Sequence, residues 1–375
     1  MISPGQTIGI LGGGQLGRMM AIAAKEMGYR IAVLEPKSDS PCGQVADREV
    51  NAAYDDLKGA RKLAEISDVV TYEFENVDLE TARWLESEAN LPQGSRLLKF
   101  TQDREFEKKA ILESGANVAE FMMIHHQDDL YRALEEVGFP SVLKTCRGGY
   151  DGKGQIVLNT EDDVKQALNG FVGRKKAILE QWVPFEKEIS VIVTRSILGE
   201  TKTFPVAENI HRDNILHKTI APARISREIA QKATAIAHRL AETFNLTGTL
   251  AVEMFLTGDG EIYVNELAPR PHNSGHFSID ACETSQFQQH IRAICGWPLG
   301  NTRLLKPAVM VNILGEDLES ALFSIDQYAD VKFHLYGKDA AKPKRKMGHV
   351  TILADRVEEA LEKANTLQFQ MEEQT

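Results

Sequence analysis

Apolar runs separated by glycine open the chain. Thr7-Ile8-Gly9-Ile10-Leu11 has the length and character of a buried strand, and Gly12-Gly13-Gly14-Gln15-Leu16-Gly17 follows at once. Leu16, Met19, Met20, Ala23, Ala24 and Met27 then recur at helical spacing as one apolar stripe, and Gly28 supplies the stop. Ile31-Ala32-Val33-Leu34, ending at Glu35, predicts a second strand. Arg61-Lys62-Leu63-Ala64 predicts a helix before a third strand, Asp68-Val69-Val70-Thr71-Tyr72-Glu73. The order β-α-β-α-β implies a parallel sheet with right-handed crossovers. Gln102 to Gly115 predicts a helix, with Phe106, Ala110 and Ile111 toward a core and Asp103, Arg104, Glu105, Lys108 and Lys109 on a solvated face. Beyond it, Ser141-Val142-Leu143-Lys144 and Ile156-Val157-Leu158 flank a glycine-rich loop and read as a hairpin. Thr249 to Leu256, the turn Thr257-Gly258-Asp259-Gly260 and Glu261 to Leu267 read as another. Pairing Leu256 with Glu261 sets Glu253 opposite Val264 and makes Glu266 its diagonal neighbour on the same face, roughly 7–8 Å away.

The 375 residues carry 54 acidic and 43 basic side chains, a formal charge of -11, which argues against a nucleic-acid surface but not against a local anion site. The length predicts two to three domains with cores large enough to need no disulfide. No run approaches the roughly 18 apolar residues of a membrane span, and Met1-Ile2-Ser3-Pro4-Gly5 lacks the basic start of a signal peptide. Cys42, Cys146, Cys282 and Cys295 are scattered without a CxxC pair, which predicts reduced thiols in a cytosolic protein.

Six segments carry candidate chemistry. Gly12 to Gly17 fits a GxGxxG turn with an acid ending the next strand. That suits a dinucleotide pyrophosphate, another phosphorylated ligand, or simple tightness of the turn. Arg147-Gly148-Gly149-Tyr150-Asp151-Gly152-Lys153-Gly154-Gln155 can fold backbone amides and Lys153 over phosphates, with Lys144 at the preceding strand end. It is no Walker loop, since GxxxxGK[ST] and a following helix are missing. The extended 180–183 segment can meet a purine edge, and Glu188 can accept from a ribose. Glu253 and Glu266 on an otherwise apolar face call for compensation, and magnesium, which takes one or two carboxylates plus phosphate oxygens, supplies it. The loop from Ala268 to His276 crowds Arg270, His272 and His276 beside them without zinc spacing, and Lys342 to Lys346 is a basic cluster that can clamp a phosphate.

Together these segments resemble the ATP-grasp enzymes. Gly148 to Gln155, Asn265 to His276 and Arg345-Lys346-Met347-Gly348-His349 closely resemble the 5-(carboxyamino)imidazole ribonucleotide synthetase family of purine biosynthesis, over nearly the whole chain. The resemblance implies an α/β (α+β) ATP-grasp fold. An N-terminal Rossmann-like domain would cover residues 1–120, a small lid domain 121–182 and a larger C-terminal domain 183–375. It implies an ATP-dependent, carbon–nitrogen bond-forming ligase in the cytoplasm, acting as a homodimer on aminoimidazole ribonucleotide and bicarbonate. ATP would meet Arg104, Lys144, Gly149, Tyr150, Asp151, Gly152, Lys153, Gly154, Gln155, Glu180, Gln181, Trp182, Val183, Glu188, His211, Asn265 and Glu266, with Mg²⁺ on Glu253 and Glu266. The ribonucleotide would meet Gln15, Leu16, Glu73, Tyr150, Asp151, Arg270, Arg345 and Lys346. Catalysis would fall to Lys153, Asp151 and Arg270, with Asp151 orienting or deprotonating the amine. Lys344 stands where the family pattern has glycine. Three alternatives stay open: a formate-dependent ligase acting on glycinamide ribonucleotide, an NAD oxidoreductase using Gly12 to Gly17, and a nucleotide sensor without turnover.

Overall fold

In the computed structural model, which describes residues 1–149, 153–170, 176–367 and 369, the chain forms three sheets. The first is the parallel sheet expected of the N-terminal third. Its strands are β1 (Thr7–Leu11), β2 (Arg30–Leu34), β3 (Arg48–Val50) and β4 (Val69–Tyr72), in the order β3-β2-β1-β4. The edge strand β3 has three residues, too short for an apolar period to mark it in the sequence. Helix α1 (Gln15–Glu26) buries Met19, Met20, Ala23 and Ala24 against Ile8, Ile10, Ile31 and Val33. Phe287, Ile291 and Ile294, from the helix Gln286–Cys295, complete that core and so fasten the N-terminal layer to the last third of the chain.

Helices α2 (Leu57–Glu65), α3 (Leu79–Glu88) and α4 (Arg96–Thr101) lead to α5 (Arg104–Glu113). The helix expected from Gln102 starts two residues later, because Asp103 caps it by accepting from Glu105 N at 3.1 Å. Its inward face also differs from the expectation. Phe106 is exposed, whereas Glu107 and Lys108 are 2% and 1% exposed and sit with Ile111 toward the interior.

The second sheet is antiparallel: β5 (Phe121–Ile124), β6 (Ser141–Thr145), β7 (Gln155–Leu158) and β8 (Ala177–Gln181), in the order β5-β8-β6-β7. β6 and β7 are the expected arms of the glycine-rich hairpin. The third sheet holds β9 (Phe185–Arg195), β10 (Thr201–Thr203), β11 (Ala207–Arg212), β12 (Ile215–Ala221), β13 (Gly248–Thr257), β14 (Ile262–Ala268), β15 (Ala308–Ile313), β16 (Val331–Leu335) and β17 (Gly348–Leu353). Its order is β14-β13-β9-β11-β12-β15-β17-β16, with β10 beside β9. The helix Arg227–Thr243 lays Ala233, Ala237, Leu240 and Ala241 on Val191, Val193, Leu250 and Val252.

The β13–β14 register corrects the expected one. Thr257 N bonds Glu261 O at 3.0 Å, so the turn closes one residue further out, and Met254 faces Val264. A register shift between Glu253 and Met254 then sets Glu253 directly opposite Glu266. The two acids are cross-strand partners, not diagonal neighbours. The four cysteines are buried and unpaired, and among the described residues no helix is long and apolar enough to cross a membrane.

Candidate active site

The second sheet and α5 contribute a buried ion cluster. Lys144 Nζ, on β6, donates to Glu180 Oε2, on β8, at 2.8 Å, and Lys108 Nζ, on α5, approaches the same oxygen at 3.3 Å. Burial alone would raise the Glu180 carboxyl; Lys108 and then Lys144 outweigh it and hold it down to about 2. Glu180 Oε1 is buried without a hydrogen-bond partner, among the described residues. Just past it, Trp182 lies 6.2 Å from Phe185, which stacks on Phe255 at 4.6 Å, an aromatic wall of the kind a flat base can use. Glu188 Oε1 lies 3.0 Å from His211 Nδ1. Burial lowers that imidazole, but the Glu188 contact more than offsets it and the net shift is upward.

The carboxylate hairpin sits beside this cluster. Burial first, then the facing Glu266, push the Glu253 carboxyl up to about 8. His272 Nε2 is 3.2 Å from Glu253 Oε1, and Arg104 Nη1 is 3.7 Å from Glu266 Oε2. Asn265 Oδ1, on β14 beside Glu266, is buried with no partner among the described residues. Glu107 is also pushed up to about 8, chiefly by burial.

The N-terminal glycine turn does not stand open for a pyrophosphate. Gly14 N and Gly17 N both donate to the Glu73 carboxylate, and Gly13 N donates to Glu35 Oε2 at 2.8 Å. Glu35, the acid ending the second strand, is thus spent on the turn itself, and the anion site of the α1 N-terminus is filled by the chain's own Glu73. This is the arrangement of a tight structural turn, so the dinucleotide reading of Gly12 to Gly17 fails.

A third group of cations lies nearby. Arg270 Nε pairs with Glu75 Oε2 at 2.5 Å, and Arg345 Nη1 lies 3.1 Å from Asp339 Oδ1. Lys338 Nζ donates to Gln15 Oε1 at 2.7 Å and also to the carbonyl of Lys346. Lys344 adopts φ of +64°, a left-handed conformation that glycine takes more easily than lysine.

These groups line one cavity of about 780 Å³. Gln15, Leu16, Glu73, Arg104, Lys144, Gly149, Lys153, Gln155, Glu180, Gln181, Trp182, Val183, Glu188, His211, Glu253, Asn265, Glu266, Arg270, Arg345 and Lys346 all line it. Gly154 does not; its carbonyl closes the hairpin by accepting from Thr145 N at 2.8 Å. Tyr150, Asp151 and Gly152 lie outside the described residues. Glu75, Glu107, His272 and Lys338 line the cavity without having been assigned a role from the sequence, and Lys108 stands behind it. Glu107 and Lys108 share a helix face with Arg104, three and four residues on, but a charged helix face ordinarily meets water, so the spacing does not mark them. Glu75 and Lys338 are brought in by packing between distant segments and leave no local trace.

Three sheets around one cleft, with a glycine-rich hairpin on one side and paired carboxylates on the other, define an ATP-grasp ligase. The ATP-grasp domain family matches residues 109–287, the ribonucleotide synthetase preATP-grasp domain residues 5–102, and the phosphoribosylaminoimidazole carboxylase C-terminal domain residues 308–363. The N5-carboxyaminoimidazole ribonucleotide synthase of Bacillus subtilis (strain 168) is 56% identical over 353 residues, 94% of this chain and 93% of its own. A crystal structure of an N5-carboxyaminoimidazole ribonucleotide synthetase with ADP superposes with a TM-score of 0.97 at 63% identity, covering 98% of each chain. The enzyme of Aspergillus clavatus, solved with ADP and 5-aminoimidazole ribonucleotide, gives 0.90 at 33% identity over 96% of each chain. The chain belongs to the N5-carboxyaminoimidazole ribonucleotide synthase family.

Proposed function

We propose that this cleft carboxylates the exocyclic amine of 5-aminoimidazole ribonucleotide with bicarbonate and ATP, giving 5-(carboxyamino)imidazole ribonucleotide, ADP and phosphate for purine biosynthesis. The observation that carries the reading is the convergence of the Lys144–Glu180 pair, the facing Glu253 and Glu266, and the Arg270, Arg345 and Lys346 cations on one cavity. It stands in a chain related to an enzyme crystallised with ADP and 5-aminoimidazole ribonucleotide.

In this reading ATP lies along the second sheet. Arg104, Lys144 and Lys153 face its phosphates, with Gly149 and Gln155 of the β6–β7 hairpin beside them. Residues 180–183 take the purine edge, the unpartnered Glu180 Oε1 accepting from its amine. Glu188 and His211 take the ribose side. Glu253 and Glu266 hold Mg²⁺, with Asn265 beside them. The donors fit: hard oxygens face each other across one register, and a buried amide oxygen waits next to them. When bound, the ion supplies neutralisation of the phosphate charge.

A bicarbonate oxygen attacks the γ-phosphorus and ADP leaves with the bonding pair, forming carboxyphosphate. The amine then takes up the carboxyl carbon, phosphate departs, and the amine loses a proton. Lys153 neutralises charge developing on the transferred group, because phosphoryl transfer depends on positioning and electrostatics. Arg345 and Lys346 hold the ribonucleotide phosphate. Arg270 keeps the reacting groups aligned, and Gln15, Leu16 and Glu73 contact the rest of the substrate. Division at about residues 120 and 182, a homodimer and a cytoplasmic site of action belong to the same proposal. Bicarbonate labelled with ¹⁸O tests the chemistry: one labelled oxygen should appear in the released phosphate. Unlabelled phosphate would exclude the carboxyphosphate route.

A further inference from the structure

Arg104, Glu107 and Lys108 lie at i, i+3 and i+4, so one face of α5 looks onto β14. β14 is the edge strand of the third sheet, and its outer backbone groups need partners. Val264 N finds Asn117 O at 2.7 Å. On either side of Glu266 the partners are side chains of α5. Lys108 Nζ donates to Asn265 O at 3.1 Å, and Glu107 Oε1 accepts from Leu267 N at 2.8 Å. The backbone is therefore held immediately before and immediately after Glu266, while Arg104 approaches the carboxylate itself. Burying Glu107 and Lys108 this deeply carries a desolvation penalty, which pushes the Glu107 carboxyl up and which an uncharged cover for a strand edge would avoid. Lys108 also reaches Glu180 Oε2, the oxygen that takes Lys144, so one ammonium joins the carboxylate hairpin to the second sheet.

We propose that Glu107 and Lys108 are positioning residues: they fix the backbone around Glu266 so that its carboxylate faces Glu253 and meets the divalent cation that accompanies the nucleotide. The proposal rests on the ATP and metal reading above. The full-length protein is titrated with ADP, without metal and then with Mn²⁺ followed by electron paramagnetic resonance. Wild-type protein that does not bind ADP would sink the nucleotide reading itself, a separate outcome from those below. In Glu107→Met, Mn²⁺ binding to the ADP complex weakens 10- to 100-fold, the range for loss of a group that orients a ligand. Metal-free ADP affinity stays unchanged, and Glu107→Gln, which keeps an acceptor for Leu267 N, restores Mn²⁺ binding. Equal weakening of metal-free and metal-dependent binding, or a Gln variant as impaired as Met, overturns the proposal. Should Glu107→Met not fold, Lys108→Met decides: weaker Mn²⁺ binding with an unchanged KM for the ribonucleotide supports it, and unchanged Mn²⁺ binding refutes it.

Discussion

Burial and the facing Glu266 push the Glu253 carboxyl up to about 8, an arrangement that is unfavourable until a cation arrives. Glu266→Gln should therefore fold normally by circular dichroism yet lose turnover by on the order of 100-fold or more, as when a transition-state charge partner is removed. Near-normal rates would count against the metal reading. Lys344 offers a second test. A non-glycine residue at φ +64° is strained, so Lys344→Gly should be neutral or stabilising by up to about 1 kcal/mol despite the lost contact with Asp213, as read from urea midpoints. Glu253, Glu266 and Lys144 were legible in the sequence because charge interrupts apolar strands there. Glu107 and Lys108 were not, because a charged helix face ordinarily meets water, and only the fold turns this one inward.

The glycine turn shows what an element adds to a motif. Gly17 lies inside α1, where alanine normally stabilises by about 1 kcal/mol. Here an added Cβ would stand 2.7 Å from Gly12 O and close to the Glu73 carboxylate. Gly17→Ala should instead destabilise by about 1–3 kcal/mol, the cost of overpacking, in urea denaturation. A stabilised variant would mean that Glu73 does not lock the turn. The sequence announced this turn and its flanking β1 and α1 correctly, but not which anion fills it, since Glu73 arrives from the third strand of the pattern. The carboxylate hairpin repeats the lesson. Its two strands were legible from alternation and the Gly258-Asp259-Gly260 turn, whereas the register hung on where the turn closes.

At the scale of the whole molecule, proton linkage predicts a stability maximum near neutrality. Burial holds His217 and His290 at about 3 and His272, His276 and His349 well below 6.5. Stability from these neutral imidazoles is present above pH 6.5 and is lost as pH falls, because the unfolded chain then binds protons that the folded chain excludes. Glu107 and Glu253, raised to about 8 from 4.5, act in the opposite sense, and their contribution is lost as pH rises toward 8. Each group contributes up to about 1.4 kcal/mol per pH unit. Below pH 6.5 these five histidines outnumber the two carboxyls; above it the carboxyls lose stability as pH rises, and so does His211, whose shift is upward, so urea midpoints from pH 5 to 8.5 should peak near 6.5. A flat profile would contradict this burial pattern. The layered plan and the shared cleft were legible from segment order and from the resemblance. The fastening of the first sheet by Phe287, Ile291 and Ile294 was not, because a helix stripe does not name its partner. Coupling of ATP cleavage to carboxylation of the ribonucleotide in one cleft is tested by measuring ADP release with each substrate omitted in turn. ADP should form only when bicarbonate and 5-aminoimidazole ribonucleotide are both present; release that ignores the ribonucleotide would contradict it.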